Sequence, residues 1–578
     1  MEAWWDRYPA EFSKEKAALE GLGYAWSIDA AAMEAGQLVV HVDVPLGDGM
    51  LALTASYPDT YPYFAPMVTT GCQFQRHQHP LGRNLCLLAR EGEEWRPGHD
   101  SLAMLIEEQL PAILVVNGGS ATPEAVAQTE DHVGEPLSSF LPYALESAVI
   151  VPDETPPAEV SAGRLSLLLR ATPPGWADRC FVNGVAASIN DMHNKPLVTF
   201  GVKIPSFAVR SNGFWLRLEK RPEVSSPETA ASDVFRQVEG KLPELGKMLS
   251  SAKRGDVAVV GLVYPDEVSW RHSADDWIFL SVRVTREAKR SRSADVHVDL
   301  VRADWGGEQA WLRRAPFLTP MRDKAALIVG LGSLGSPACL QLASAGIGRL
   351  ELVDCDNLQV GNTVRWALGW QYAGLQKTTA LASHIFNEYP YTAVHGCNLR
   401  IGFPDHRVSE YAVLRQLAMG VDIIVDAAAN HRVSHFLADL ARELGKPYVW
   451  LTTTHGAAGG IVGRIRPDTT KGCWHCFLRG LDDKTIRVPA DAGTEEIQPG
   501  GCSQPTFIGA GIDSEAIVNL AVRLTVATLC TGTNGGYPDF LWDVAIADIY
   551  KEGIPVAPEW ATYVLAARQD CLSCGTRI

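Results

Sequence analysis

Long apolar runs are missing from this sequence. No stretch approaches the ~20 residues that a membrane helix needs, and the opening Met1-Glu2-Ala3-Trp4-Trp5-Asp6-Arg7 lacks the basic-then-apolar pattern of a secretory leader. A cytoplasmic location, with no membrane partner, is expected. Positive charge is also scarce: 51 Lys and Arg stand against 67 Asp and Glu, a formal net charge of −16. That balance argues against a nucleic-acid protein whose affinity comes from neutralising phosphates across its surface. Cysteine is thin, at 12 in 578 residues, too few for a disulfide scaffold, so the thiols read as packing residues, metal ligands or nucleophiles. Internal repeats and low-complexity tracts are not evident.

What is present is ordinary globular composition, 46% hydrophobic and 20% charged, in a chain long enough for about three to five folded units. Residues 1–150 alternate short apolar runs such as Leu38-Val39-Val40-His41-Val42 with a proline-dense stretch from Tyr57 to Pro66, then a helical pattern from Leu102 to Leu114. This predicts an α+β region. The segment Val151-Pro152-Asp153-Glu154-Thr155-Pro156-Pro157 is a boundary candidate, because proline continues neither a helix nor a central strand. Residues 151–319 carry strand-like runs, among them Val257 to Val263 and Trp277 to Val282, and no catalytic spacing; a β-rich domain of unassigned role is expected there. Residues 320–578 alternate strand and helix, starting with the unbroken apolar run Ala325 to Val329, which predicts a buried parallel strand and a Rossmann-like α/β domain.

Directly after that strand stands Gly330-Leu331-Gly332-Ser333-Leu334-Gly335, then a helical stretch, then a strand ending in Asp354. Glycines permit a tight turn and close backbone approach, a helix start offers N–H groups to phosphate, and an acid about 20 residues on can hold a ribose. A nucleotide site follows. Asp354-Cys355-Asp356, then Asn362, Arg365 and Lys377, surround that strand end with acids, an amide and two cations. A nicotinamide needs neutral room there, whereas cations suit a triphosphate attacked at its α-phosphorus, so ATP fits better than a dinucleotide.

This stretch resembles the adenylation domain of ubiquitin-activating enzymes and of their bacterial relatives in thiamine and molybdopterin synthesis, the ThiF/MoeB type. The resemblance implies that Asp354 binds ribose, that Asn362, Arg365 and Lys377 bind phosphates, and that Asp426 helps close the pocket. Many relatives place an aspartate just before the residue matching Asn430, where it holds magnesium; this chain has Ala429. Asp356 or Asp426 is left as the Mg2+ ligand, and Arg313 or Arg314 as an arginine acting in trans.

Two C-x-x-C pairs, Cys473/Cys476 and Cys571/Cys574, supply the four thiolates of a closed tetrahedral Zn2+ site. The same pairs recur in the resembled family. Of the other thiols, Cys339 and Cys530 sit in apolar helical runs and read as packing. Cys502 follows Gln498-Pro499-Gly500-Gly501 and precedes a helix expected from about Ser514, a setting in which a thiol can act as thiolate. Its surroundings look like a looser form of the thioester-cysteine segment of ubiquitin-activating enzymes.

The amino-terminal order is similar to the ubiquitin-conjugating core: the proline-dense strand, His79-Pro80-Leu81-Gly82-Arg83-Asn84-Leu85-Cys86, then Trp95-Arg96-Pro97 and a helix from Ser101. That similarity implies Cys86 as the acceptor nucleophile. Leu81 stands where that family has an oxyanion-stabilising asparagine, so Asn84, His77 or His79 would have to serve. His77-x-His79-Pro80 also suggests a zinc isopeptidase, but Ala89-Arg90-Glu91 occupies the place of that class's remaining ligands. Together the two ends resemble the bacterial fusion ligases of anti-phage (CBASS) signalling operons, which attach the C-terminus of a cGAS-like nucleotidyltransferase to target amines. The resemblance implies an ATP-dependent, homodimeric enzyme that adenylates the flexible C-terminus of that protein, or of a ubiquitin-like one. The acyl group would pass from Cys502 to Cys86 and then to an amine. A sulfur-carrier adenylyltransferase in a cofactor pathway is the alternative, and an inert dinucleotide-binding scaffold a third reading.

Overall fold

The computed structural model describes residues 2–47, 49–88, 90–117, 133–176, 179–202, 204–287, 294–403, 409–493, 496–497, 506–571 and 573–574. The chain packs as two compact units, residues 1–200 with 207–305, and residues 201–206 with 306–578.

The first unit opens with the helix Pro9–Gly21 and a four-stranded antiparallel meander, Ala25–Ile28, Val39–Leu46, Gly49–Ser56 and Met67–Thr70, in that order. Val40, Val42 and Val44 face inward while the residues between them face out, the period of two that a one-sided sheet requires. They pack with Leu51, Leu53, Leu102, Leu105 and Ile106, the last three from a helical run that spans 102–117 in three consecutive segments. The proline-dense stretch is fixed by polar bonds. Tyr57 and Tyr61 each donate a hydroxyl hydrogen to the buried Glu15 carboxylate at 2.7 Å, Leu102 N–H adds a third bond at 2.8 Å, and Trp95 Nε1 donates to the Pro62 carbonyl at 2.8 Å.

The β-rich region is a closed barrel. Strands run in the order Ala148–Val151, Asp295–Trp305, His272–Arg286, Val257–Ser269, Val209–Arg217, Ala162–Leu169, Asn183–Asn190, and the last pairs back to the first. Alternation along His272–Arg286 sends Trp277 and Phe279 into one core with Trp215 and Val259. Ile278, Leu280 and Val282 go to the opposite face, under the helices Ala230–Val238 and Pro243–Ser251. The barrel therefore begins at Ala148, and the prolines of the candidate boundary lie between two of its strands. The chain joins the second unit from Gly306.

The second unit is built on an eight-stranded sheet. Five strands are parallel, in the order Ala393–Asn398, Arg349–Asp354, Ala325–Val329, Ile423–Asp426, Tyr448–Thr453, followed by antiparallel Gly459–Ile465, Val544–Lys551 and Ile554–Tyr563. Ala325–Val329 is wholly buried, as its apolar run predicts. Strand order reverses between it and Ile423–Asp426, and at such a switch point the carboxyl ends of an α/β sheet open a crevice for ligands.

Candidate functional site

The glycine loop lies in that crevice. Gly330 has φ 86°, and a Cβ there would sit 2.5 Å from Ala428 Cα; at Gly335 it would sit 1.8 Å from the Gly330 carbonyl oxygen. Both positions require glycine. Gly332 differs, since nothing lies within 4 Å of its Cβ position, so its smallness leaves room above the loop. The helix Gly335–Ser344 starts directly behind; its Ser336 and Ala338 N–H groups bond back to the Gly332 and Leu334 carbonyls at 3.1 and 3.3 Å, and Pro337 carries none.

Asp354 ties loop to strand: its carboxylate accepts from Leu331 N–H at 2.7 Å and from Asp356 N–H at 2.7 Å. Lys377, at the start of the helix Lys377–Glu388, reaches Asp356 Oδ2 at 2.9 Å with 11% of its side chain exposed. Burial pulls that ammonium down, and the carboxylates of Asp354 and Asp356 more than offset it, so its pKa lies above the ordinary lysine value. Cys355, exposed between the two acids, is pushed up to about 11 by burial and by Asp356 and Asp354, which disfavours the thiolate. Asn362 Oδ1 accepts from Gln359 N–H at 3.2 Å and closes the turn Val360–Val364. Arg365 follows it, half-buried, and burial lowers its pKa. A Cβ on Gly511 would stand 3.0 Å from Arg365 Cα, so the helix Gly511–Cys530 begins against this arginine, three residues earlier than expected. Asp426 is buried and engaged, with Tyr448 donating its hydroxyl at 2.7 Å and Ala428 its N–H at 3.0 Å. Burial raises its pKa. Both of its carboxylate oxygens are engaged, at the end of a strand paired on both sides, which braces the centre of the sheet.

Two braces escape a motif reading. Trp366 donates Nε1–H to the Leu331 carbonyl at 2.6 Å. Ser336 Oγ accepts from Ala367 N–H at 3.2 Å and donates to the Gly332 carbonyl at 2.8 Å. Together they lock the loop to the segment carrying Asn362 and Arg365. Only the order of a tryptophan directly after the arginine could have hinted at this.

In the first unit Cys86 is half-buried, and its pKa is raised by burial and by Glu135. Its N–H donates to the His77 carbonyl at 2.8 Å. His79 Nδ1 accepts from Leu81 and Gly82 N–H at 3.2 and 2.9 Å. Leu81 is buried with Leu137, Leu141 and Leu262, which explains an apolar residue there: the turn Leu137–Ser139, ahead of the barrel, packs on it. Cys502 lies outside the described residues. The chain on either side of Cys502 pairs antiparallel, Glu496 with Phe507 and Ile497 with Thr506.

Residues 312–532 match the ThiF family. The chain is 30% identical over 601 residues to uncharacterized protein y4oA of Sinorhizobium fredii, covering 99% of this chain and 97% of that one. This chain belongs to the y4oA family, with a ThiF/MoeB-type adenylation domain. The SAMP-activating enzyme E1 of Haloferax volcanii is 27% identical over 37% of this chain and 78% of its own. The adenylyltransferase and sulfurtransferase MOCS3 of Arabidopsis thaliana is 31% identical over 31% of this chain and 37% of its own. A crystal structure of E. coli MccB with succinimide aligns at 18% identity and TM-score 0.34, over 45% of this chain and 69% of that one.

The ThiF-type domain gathers its four C-x-x-C sulfurs. Sγ atoms of Cys473, Cys476, Cys571 and Cys574 lie within 4.8 Å of one another, with Cys473 and Cys571 at 3.5 Å and Cys476 and Cys574 at 3.2 Å. Sulfurs this close, converging from the helix Trp474–Asp482 and the distant chain end, form a donor set suited to one tetrahedral ion. Among the described residues no helix is long and apolar enough to cross a membrane.

Proposed function

We propose that this chain is an ATP-dependent protein-conjugating enzyme, in which a ubiquitin-conjugating-like region bearing Cys86 is joined to the ThiF/MoeB-type adenylation domain. The observation that carries the reading is the cation Lys377 held by Asp356 beside a glycine loop with open space at Gly332. Gly330 and Gly335 shape the loop for the phosphates. Asp354 takes the ribose, Asn362, Arg365 and Lys377 the phosphates, and Asp356, 49% exposed, is the carboxylate placed to meet magnesium. Asp426 acts behind the site as a brace.

The client is a protein with a flexible C-terminus, a cGAS-like nucleotidyltransferase of an anti-phage operon or a ubiquitin-like protein. Its carboxylate becomes an acyl adenylate with release of pyrophosphate. Cys502 displaces AMP to give a thioester, Cys86 takes the acyl group by thioester exchange, and an amine accepts it. Exchange between thioesters is nearly isoenergetic, which is why two thiols divide the synthesis of one amide. The antiparallel pairing of Glu496–Ile497 with Thr506–Phe507 supports the reading, because these residues flank Cys502 in sequence and Phe507 stands four residues before the helix that abuts Arg365. Cys473, Cys476, Cys571 and Cys574 hold a structural zinc that fastens the chain end to the domain, and the enzyme acts in the cytoplasm as a homodimer.

The test is electrophoresis without reductant of the full chain with ATP, magnesium and the protein encoded beside it. The expected result is a thiol-labile adduct that accumulates in Cys86→Ala and vanishes in Cys502→Ala. A Cys86→Ala chain with full biological activity would instead favour a sulfur-carrier adenylyltransferase.

A further inference from the structure

Cys86 has neighbours that the transfer scheme leaves unused. The chain bridges antiparallel between Gln78 and Leu85, and one step outward Cys86 N–H is bonded to the His77 carbonyl at 2.8 Å. His77 has φ 57°, a left-handed conformation that a non-glycine residue keeps only when its surroundings hold it. Glu135 is the holder. Its Oε1 accepts from His77 N–H at 2.8 Å and lies 3.6 Å from His77 Nδ1, with the two side chains 14% and 18% exposed.

The charges around this pair are committed elsewhere. Arg76 meets Glu267 at 2.7 Å, and Arg221 meets Asp266 at 2.6 Å while donating to the Glu135 carbonyl. The other imidazole, His79, already uses Nδ1 to cap its turn. A carboxylate on one side of an imidazole favours the proton on the near nitrogen, leaves the far one as acceptor, and stabilises the imidazolium that forms.

We propose that His77, oriented by Glu135, is the proton acceptor when an amine attacks an acyl group carried on Cys86; this rests on the reading of Cys86 as an acyl carrier. The amine nitrogen bonds to the thioester carbonyl carbon and gives its proton to His77 Nε2. The carbon–sulfur bond then breaks, and the imidazolium returns the proton to the departing Cys86 sulfur, leaving an amide, a thiol and neutral His77. Burial and the Glu135 charge both disfavour a bare thiolate at Cys86, so a proton that follows the sulfur assists its departure.

The full chain can be tested without its client by acylating it with the mercaptoethanesulfonate thioester of N-acetylglycine, then adding lysine and following loss of acyl-Cys86 by mass spectrometry from pH 5.5 to 9. Rates are normalised to free amine. His77→Asn, a residue that tolerates the left-handed conformation, is expected to slow deacylation about 100-fold at pH 7.5 and to flatten the acid side of the rate profile. Glu135→Gln keeps an acceptor for His77 N–H and is expected to slow deacylation less and to change the acid side of the profile. Unchanged rate and profile in both variants, with acyl-Cys86 formed normally, overturn the inference alone. Failure of Cys86 to take acyl while exposed Cys72 does overturns the acyl-carrier reading, and the inference with it.

Discussion

Lys377 Nζ stands 2.9 Å from Asp356 Oδ2, joining the helix after the crevice to the acid at the end of the second strand. A buried ammonium between two carboxylates is held in place before any nucleotide arrives, so the electrostatic arrangement is preformed. Lys377→Gln is expected to weaken ATP binding at least about tenfold, about 1.4 kcal/mol, measured by calorimetric titration. Because the lysine pKa is raised, its stabilising contribution is fully present below the unfolded value of about 10.4 and is lost only as pH rises through the higher folded one. ATP affinity should therefore show no step from this group between pH 6 and 9. A step that Lys377→Gln removes would contradict the assignment.

Trp366 acts on the same loop from beneath. Trp366→Phe keeps the ring and deletes the Nε1–H bond to the Leu331 carbonyl, which is worth about 1 kcal/mol. The expected outcome is roughly fivefold weaker ATP binding with little change in melting temperature. A variant that melts much lower at unchanged affinity would show the bond to serve folding rather than the loop.

Asp426 gives a pH signature of the same sign in the acid range. Its folded pKa is raised by burial above the unfolded value of about 3.9, so its contribution is fully present below that value and is lost as pH rises through the folded one. Asp426→Asn still accepts from Ala428 N–H, and its unfolding free energy should lack this decline. Urea unfolding at pH 4, 5, 6 and 7 gives the test: the stability of the native chain minus that of the variant should fall with pH and then level off. A constant difference would refute it.

The four clustered thiols predict one equivalent of zinc per purified chain, read by elemental mass spectrometry. Cys571→Ser is expected to lose the metal, and chelator should lower the melting temperature of the native chain while leaving that of Cys571→Ser unmoved. Metal retained in full by Cys571→Ser would remove Cys571 from the ligand set.

Legibility in the sequence followed the range of the physical constraint. Gly330, Gly335 and Asp354 are readable because loop, helix start and strand end impose their requirements within 25 residues. The two C-x-x-C pairs are readable because a tetrahedral ion fixes the local spacing even though the pairs meet across 98 residues. Trp366, Tyr448 and Glu135 were not readable: their partners Leu331, Asp426 and His77 are separated by 35, 22 and 58 residues, and no local pattern marks them. Barrel closure was equally hidden, since the pairing of Ala148–Val151 with Asn183–Asn190 depends on strand stagger, which apolar runs do not encode.

Leu81 shows how such a long-range contact overrides a motif. The conjugating-enzyme resemblance invites restoring asparagine there, yet the side chain is 7% exposed among Leu137, Leu141 and Leu262. An amide in that cluster would forfeit the apolar burial and bring polar atoms into a site that offers them no marked partner. Leu81→Asn is therefore expected to destabilise the first unit by about 2 to 4 kcal/mol and to reduce acyl transfer at Cys86 through disorder of the Gln78–Leu85 crossing. Leu81→Met, similar in volume, should cost less than about 1.5 kcal/mol. Denaturant unfolding of both variants decides the matter: if the asparagine is tolerated and transfer rises, position 81 faces the reacting carbonyl after all, and the packing account of this departure is wrong.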